Sequence, residues 1–200
     1  AVKSANLLYT YSMTSAISLE SAFKRAPRAD FLPSNVKDDA NIDAPLPIGF
    51  GQTNSQPSTV YNMLNWLQVE PGNNVLDVGA GSGWTTALLA YLVGKEGHVT
   101  ATEIVPELAT FGRHNCQSVP LQNITFLTAK EQLGYKNNAP YDRILVSAAA
   151  KTIPEELVSQ LSSDGIMVIP LQSSIMVITK TNSTLTIDEH PGYAFVPLIN

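Results

Sequence analysis

The sequence predicts an α/β fold, a doubly wound and mostly parallel sheet, on three observations. Apolar runs of strand length alternate with helix-length segments through the middle of the chain. One run, Val75-Leu76-Asp77-Val78, leads straight into glycines at 79, 81 and 83. After Pro170 the spacing tightens to short strands separated by turn residues. Strands alternating with helices imply right-handed crossovers, which leave the strands parallel and the helices on both faces. With 200 residues, 44% of them hydrophobic and 14% charged, the chain has the size and composition of a single folded domain.

In chain order, a helix is expected near 17–26. From there to Pro57 the chain is rich in Pro, Asp and Asn and shows no period, but Phe31, Leu32, Leu46, Ile48 and Phe50 favour a packed lid over a disordered arm. Strands are expected at 74–78, 98–103, 123–128 and 142–147, with helices at 84–93 and 106–117. A further helix at 154–161 precedes a strand at 166–169. Pro106 and Pro154 stand near helix starts, where a missing N–H leaves no bond unmade. Ser174 to Lys180 and Leu185 to Asp188, joined through Thr181-Asn182-Ser183, read as an antiparallel hairpin that closes one sheet edge.

The net charge of −5 argues against a nucleic-acid or anionic-membrane partner. Lys24, Arg25 and Arg28 form the only close basic group and read as a solvated helix end. A single cysteine, Cys116, excludes an internal disulfide framework and suits a reducing cytoplasm. His98, His114 and His190 stand too far apart for a ligand pattern, so no metal is expected. No apolar run approaches the roughly 18 residues that span a bilayer, and the N-terminal stretch does not read as a signal peptide. A soluble, cytoplasmic protein is the expectation.

The glycine turn carries the first functional signal. Between a strand and a helix, glycines let a ligand approach the backbone, since they lack Cβ and tolerate positive φ. The dinucleotide fingerprint requires Gly or Ala five residues after the first glycine, and Trp84 stands there instead. No Walker lysine follows, so a phosphate cradle is not expected. Asp77 precedes the turn, and Glu103 ends the next strand 24 residues after Gly79, roughly the separation at which a carboxylate meets a ribose diol. The bland alternative is a tight strand-helix turn. The order of Asp77, the glycines and Glu103 resembles the first two motifs of class I S-adenosylmethionine-dependent methyltransferases.

Four further segments narrow the resemblance. Asp43-Ala44-Pro45-Leu46-Pro47-Ile48-Gly49-Phe50-Gly51-Gln52-Thr53-Asn54-Ser55-Gln56-Pro57 is similar to the D-x-P-x-x-I-G-x-G-Q-T-I-S-x-P signature of protein-L-isoaspartate O-methyltransferases, which methyltransferases in general lack. Ala139-Pro140-Tyr141-Asp142-Arg143-Ile144 with Ser147-Ala148-Ala149-Ala150 resembles that family's A-P-Y-D-x-I…G-A-A-A. Asp164-Gly165 through Ile169-Pro170 resembles G-G-x-x-x-x-P, and Phe195-Val196-Pro197-Leu198 its terminal strand.

The resemblance implies one methyltransferase domain, 1–200, with 1–57 as an N-terminal helix and substrate-side lid. It implies transfer of a methyl group from S-adenosyl-L-methionine, leaving S-adenosyl-L-homocysteine, to isoaspartyl-containing peptides or proteins. The expected protein is a monomer without nucleic-acid or membrane partners. By the same resemblance Ser55 is the active-site serine, with Thr53 and Asn54 lining its cleft. Gln52, Thr53, Asp77, Gly79, Ala80, Gly81, Gly83, Glu103, Ile104 and Glu131 are expected on the cofactor, with Asp77 orienting the turn, Glu103 on the ribose hydroxyls and Ile104 on the adenine face. Several positions differ from the family pattern, three of them expected to bear on the ligands. Lys130 replaces the Asp that accepts from the adenine amino group, which leaves Glu131 or backbone for that bond; Asn54 replaces an isoleucine, and Gln172 a glycine. A different carboxylate acceptor and a catalytically idle binding domain are the two alternatives.

Overall fold

The computed structural model describes residues 17–130 and 132–199. Helix α1 (Leu19–Arg25) starts at Ser18, whose Oγ accepts from Ser21 N at 3.2 Å and so satisfies one of the N–H groups a helix start leaves open. Two 3₁₀ turns follow, Arg28–Phe31 and Ser34–Asp39. Then comes an antiparallel hairpin of β1 (Leu46–Gly49) and β2 (Gln52–Asn54). At its tip Gly49, Phe50 and Gly51 have φ of 93°, 56° and 72°, a reversal that glycines on either side of Phe50 make accessible. Leu32, Ala40, Leu46 and Ile48 pack together on Leu108, so the segment is the packed lid its apolar residues implied.

Arg28 corrects the sequence reading. It is 6% exposed rather than solvated, because its guanidinium donates to Asn54 Oδ1 (2.7 Å) and to the carbonyls of Ile42 (3.0 Å), Ala44 (2.8 Å), Asn54 (2.9 Å) and Ser55 (2.9 Å). A planar fork of five N–H donors is suited to gathering several loop carbonyls at once. One side chain therefore ties the lid to β2.

Helix α2 (Pro57–Leu67) was not expected from the sequence. Pro57 opens it, and Asp43 Oδ1 accepts from Ser58 N at 2.9 Å, a bond that holds the Asp43 carboxyl below its ordinary pKa.

The remaining elements are β3 (Asn74–Val78), α3 (Trp84–Val93), β4 (His98–Glu103), α4 (Pro106–Gln117), β5 (Ile124–Thr128), β6 (Tyr141–Val146), α5 (Glu155–Gln160), β7 (Leu161–Leu171), β8 (Ser174–Thr181) and β9 (Thr184–Pro191). They form one seven-stranded sheet in the order β5-β4-β3-β6-β7-β8-β9, parallel from β5 to β7 and antiparallel beyond. Strand order reverses between β3 and β6, and at such a point the carboxyl ends of the strands open a crevice.

Side chains alternate across the sheet. Val75, Leu145 and Val168 pack with α2 and α3, whereas Leu76, Ile144, Val146, Met167 and Ile169 face α5. Each side chain so buried stabilises the fold by about 1.5–3 kcal/mol in transfer terms. Cover on the two faces is unequal. The α5 face is completed by an irregular stretch, in which Gln160 Nε2 donates to Leu133 O (2.9 Å) and Asn138 Nδ2 to Thr100 Oγ1 (2.9 Å).

Helix α5 is shorter than expected, with Pro154 as its N-cap, and β7 begins at Leu161 rather than 166. The β6–β7 register slips between Tyr141↔Leu161 and Arg143↔Ile166, a bulge in which Asp164 has φ 64°. Gln172 stands in the β7–β8 turn at φ 53°, the left-handed conformation that favours glycine. No described helix is long and apolar enough to cross a membrane.

Candidate active site

A solvent-open cleft, with about 910 Å³ of empty space that runs out into the solvent, lies at the carboxyl ends of β3, β4 and β6, with the β1–β2 hairpin forming its lid side. The glycine turn makes its floor. Gly79 N and Ala80 N both donate to Thr102 O (2.9 and 3.1 Å), and Gly83 N closes the turn on Ala80 O at 2.8 Å. Gly79, Ala80 and Gly81 line the cleft, and a Cβ on Gly79 would meet nothing nearer than 4.0 Å. Gly83 does not line it, which corrects the expectation for the third glycine. A Cβ there would lie 2.8 Å from Cys116 Sγ and Gly112 O, so Gly83 exists for the contact between α3 and α4.

Glu103 ends β4 and is 5% exposed. Its Oε2 accepts from Gly81 N (2.8 Å) and its Oε1 from Val105 N (2.9 Å). The carboxylate thus shapes the turn while each oxygen keeps a lone pair for another donor. Asp77 is wholly buried and does not line the cleft, so it cannot touch a ligand there. Its Oδ2 accepts from the hydroxyls of Thr85 (2.8 Å) and Thr86 (2.7 Å), which fixes the first turn of α3. Burial, reinforced by the charge of Glu103, pushes its pKa up to about 6. Thr85, on the cleft wall, is the side chain through which Asp77 acts.

The lid side presents Ile48, Gln52, Thr53 and Ser55 to the cleft. Asn54 reaches it too, but its amide is engaged. Oδ1 accepts from Arg28, and Nδ2 donates to Ser82 Oγ at 3.0 Å. The change from isoleucine to Asn54 therefore clamps the lid to the glycine turn. Ser82 is gripped from the other side as well, its carbonyl accepting from Asn115 Nδ2 at 2.9 Å.

Ile104 and Lys130 line the end of the cleft beyond Glu103, and Glu131 lies outside the described residues. Gln172 lines neither this cleft nor its neighbour, so its exchange for glycine concerns the β7–β8 turn alone. The described residues contain no group of His, Cys, Asp or Glu able to hold a metal ion.

A second cavity adjoins the first, with α2 on one side and the segment 191–196 on the other. Thr53, Ser55, Ser147 and Val196 line both. Ser147 and the C-terminal segment were given no role by the sequence reading. Ser147 directly follows β6, the neighbour of β3 at the reversal, and that placement was the available signal. The C-terminal segment is anchored by Ala149 N donating to Val196 O and Leu198 N to Ala149 O, both at 2.8 Å.

The sequence profile of protein-L-isoaspartate(D-aspartate) O-methyltransferase (PCMT) matches residues 6–200. The chain belongs to this family. A protein-L-isoaspartate O-methyltransferase from Methanothrix thermoacetophila is 42% identical over 181 residues, covering 89% of this chain and 86% of the relative. Another from Ignicoccus hospitalis is 43% identical over 183 residues, covering 89% and 87%. Among solved structures, a Plasmodium falciparum protein described as a protein-L-isoaspartate O-methyltransferase, in complex with S-adenosyl-L-homocysteine, superposes with a TM-score of 0.81 at 25% identity. The match covers 90% of this chain and 89% of that one. The likeness to PCMT thus extends over almost the whole chain.

Proposed function

We propose that this protein transfers the methyl group of S-adenosyl-L-methionine to the free carboxylate of an L-isoaspartyl residue in a peptide or damaged protein. The observation that carries this reading is the junction of the two cavities. Three of the four residues common to both, Thr53, Ser55 and Ser147, bear hydroxyls, and two of these lie on the family's signature segment.

The cleft fits the cofactor. Glu103 retains an acceptor site on each oxygen for the two ribose hydroxyls, and Gly79 leaves the space a Cβ would narrow. Gln52, Thr53, Ala80 and Gly81 line the same wall, and Ile104 offers an apolar face for adenine. When bound, S-adenosyl-L-methionine supplies an activated methyl: as a carboxylate oxygen bonds to the methyl carbon, the C–S electron pair stays on sulfur and S-adenosyl-L-homocysteine results.

A carboxylate with an ordinary pKa near 4 is already ionised at neutral pH, so no general base is required. What the chain supplies is position and dryness. Ser55 donates to the acceptor carboxylate, the hairpin shields the junction, and the rigid glycine turn fixes the donor side. Alignment of this kind lowers barriers by up to roughly 7–11 kcal/mol in well-oriented systems.

The acidic balance, with a net charge of −5, supports a peptide rather than a nucleic-acid acceptor; the single cysteine suits a reducing cytoplasm, and a single-domain monomer is the proposed form. Incubation with radiolabelled S-adenosyl-L-methionine and an isoaspartyl peptide tests the activity. A base-labile methyl ester is expected on that peptide and not on its normal aspartyl isomer; equal labelling of the two sinks the proposed specificity.

A further inference from the structure

We infer that Ser147 is a second catalytic hydroxyl, one that donates to the acceptor carboxylate from the sheet side while Ser55 donates from the lid. The inference rests on the carboxyl-methyltransferase reading above. Ser147 lines both cavities, as Ser55 does, and therefore stands where an acceptor reaching out of one cavity meets a donor held in the other. Its backbone is fixed: Ser147 N donates to Val78 O at 2.9 Å, continuing the β3–β6 ladder one residue past the strand. Its hydroxyl takes no partner among the described residues.

The need for such a donor follows from the charge of the acceptor. A carboxylate offers about four lone-pair sites and loses its hydration on entering the junction. None of the described residues lining the second cavity is cationic, and the one cation on the first, Lys130, belongs to the loop after β5. Neutral hydroxyls must then replace the lost water. They do so without drawing off the electron density the attacking oxygen needs, as a guanidinium or ammonium would. In the transfer that oxygen bonds the methyl carbon, the C–S pair goes to sulfur, and no proton moves, so Ser147 keeps its hydrogen throughout.

The test is a titration of an isoaspartyl peptide into protein saturated with S-adenosyl-L-homocysteine, a complex in which no transfer occurs. Ser147→Ala is expected to weaken peptide binding about tenfold, the usual loss for a hydrogen bond to a charged group. Affinity for S-adenosyl-L-homocysteine alone should stay within about twofold, and Ser147→Thr, which keeps the hydroxyl, should bind peptide nearly as the wild type does. Wild-type peptide affinity in Ser147→Ala, or a parallel loss of both affinities, overturns the assignment. Failure of the wild type itself to bind the peptide overturns the isoaspartyl reading and the role of Ser147 with it.

Discussion

At the scale of single residues, the two carboxylates near the glycine turn separate into a group that faces the cleft and one that never sees it. Glu103 was legible because a strand end in a parallel sheet is a fixed address, and its spacing from the turn follows from one helix and one crossover. Replacing it by alanine releases Gly81 N and Val105 N and, on the proposed ribose assignment, removes two charge-assisted bonds to the cofactor. Affinity for S-adenosyl-L-homocysteine is expected to fall on the order of a hundredfold, measured by calorimetry. Unchanged affinity removes Glu103 from the ribose.

Asp77 carries a pH signature instead. Its folded pKa of about 6 lies above the reference value of 3.8. A raised pKa means the protonated form is favoured in the fold, so that contribution is complete below about pH 4 and lost as pH rises to about 6. Relative to the non-titrating Asp77→Asn, the wild type should lose on the order of 3 kcal/mol across that window and then run parallel to the variant. Urea unfolding of both proteins at a series of pH values reads this directly. A constant difference shows that Asp77 does not titrate there.

Arg28 marks the limit of residue-level reading. Nothing in Lys24-Arg25…Arg28 distinguishes the third cation from the first two, because its burial is decided by carbonyls 14 to 27 positions away. Gly83 is similar: its spacing promised ligand contact, whereas its need for no Cβ comes from α4.

At the scale of elements, β3 to β6 and the helices α3, α4 and α5 were legible to within a residue or so, since buried strands read as continuous apolar runs. The lid was not. β1 and β2 are only four and three residues long, and a proline inside so short a run argues against a strand. Helix α2 did leave a trace, for Val60, Met63, Leu64 and Leu67 are the buried positions of a helical face at i, i+3, i+4 and i+7. The start of β7 left none, because Ser162-Ser163-Asp164-Gly165 carry no apolar alternation.

Two variants probe how these elements hold the site. Arg28→Met strips donors from a set of lid carbonyls and from Asn54. The cost is roughly 3 kcal/mol or more, equivalent to about 6–12 °C in Tm for a chain of this size, and a melting curve measures it. Gly83→Ala is expected to destabilise the fold more than Gly79→Ala, although both glycines have positive φ (88° and 75°). Only the first would drive a Cβ into Cys116 and Gly112. Comparable unfolding midpoints for the two alanine variants would place Gly83 outside the α3–α4 contact.

At the scale of the whole molecule, strand order could not be read from the chain. Alternation says that strands are parallel and says nothing of which lies beside which. The reversal between β3 and β6 is a property of the assembled sheet. That reversal puts the ends of four distant segments, the glycine turn, β4, β6 and the lid, around one cleft. It also explains why the cofactor side was more legible than the acceptor side. The former is built from two consecutive strands and the turn between them, whereas the latter gathers the lid, the residue after β6 and the C-terminal segment.

The uncharged wall of the second cavity has a consequence for which proteins this enzyme can serve. Aspartyl damage arises wherever the chain is flexible, beside acidic and basic neighbours alike. A groove of hydroxyls, amides and apolar rings has no charge with which to prefer one neighbourhood, so discrimination must come from the displaced backbone that an extra methylene creates. Binding of a neutral isoaspartyl peptide should accordingly vary less than about threefold between 50 mM and 500 mM salt, where a charge-steered site would weaken severalfold as the Debye length contracts from about 14 Å to about 4 Å.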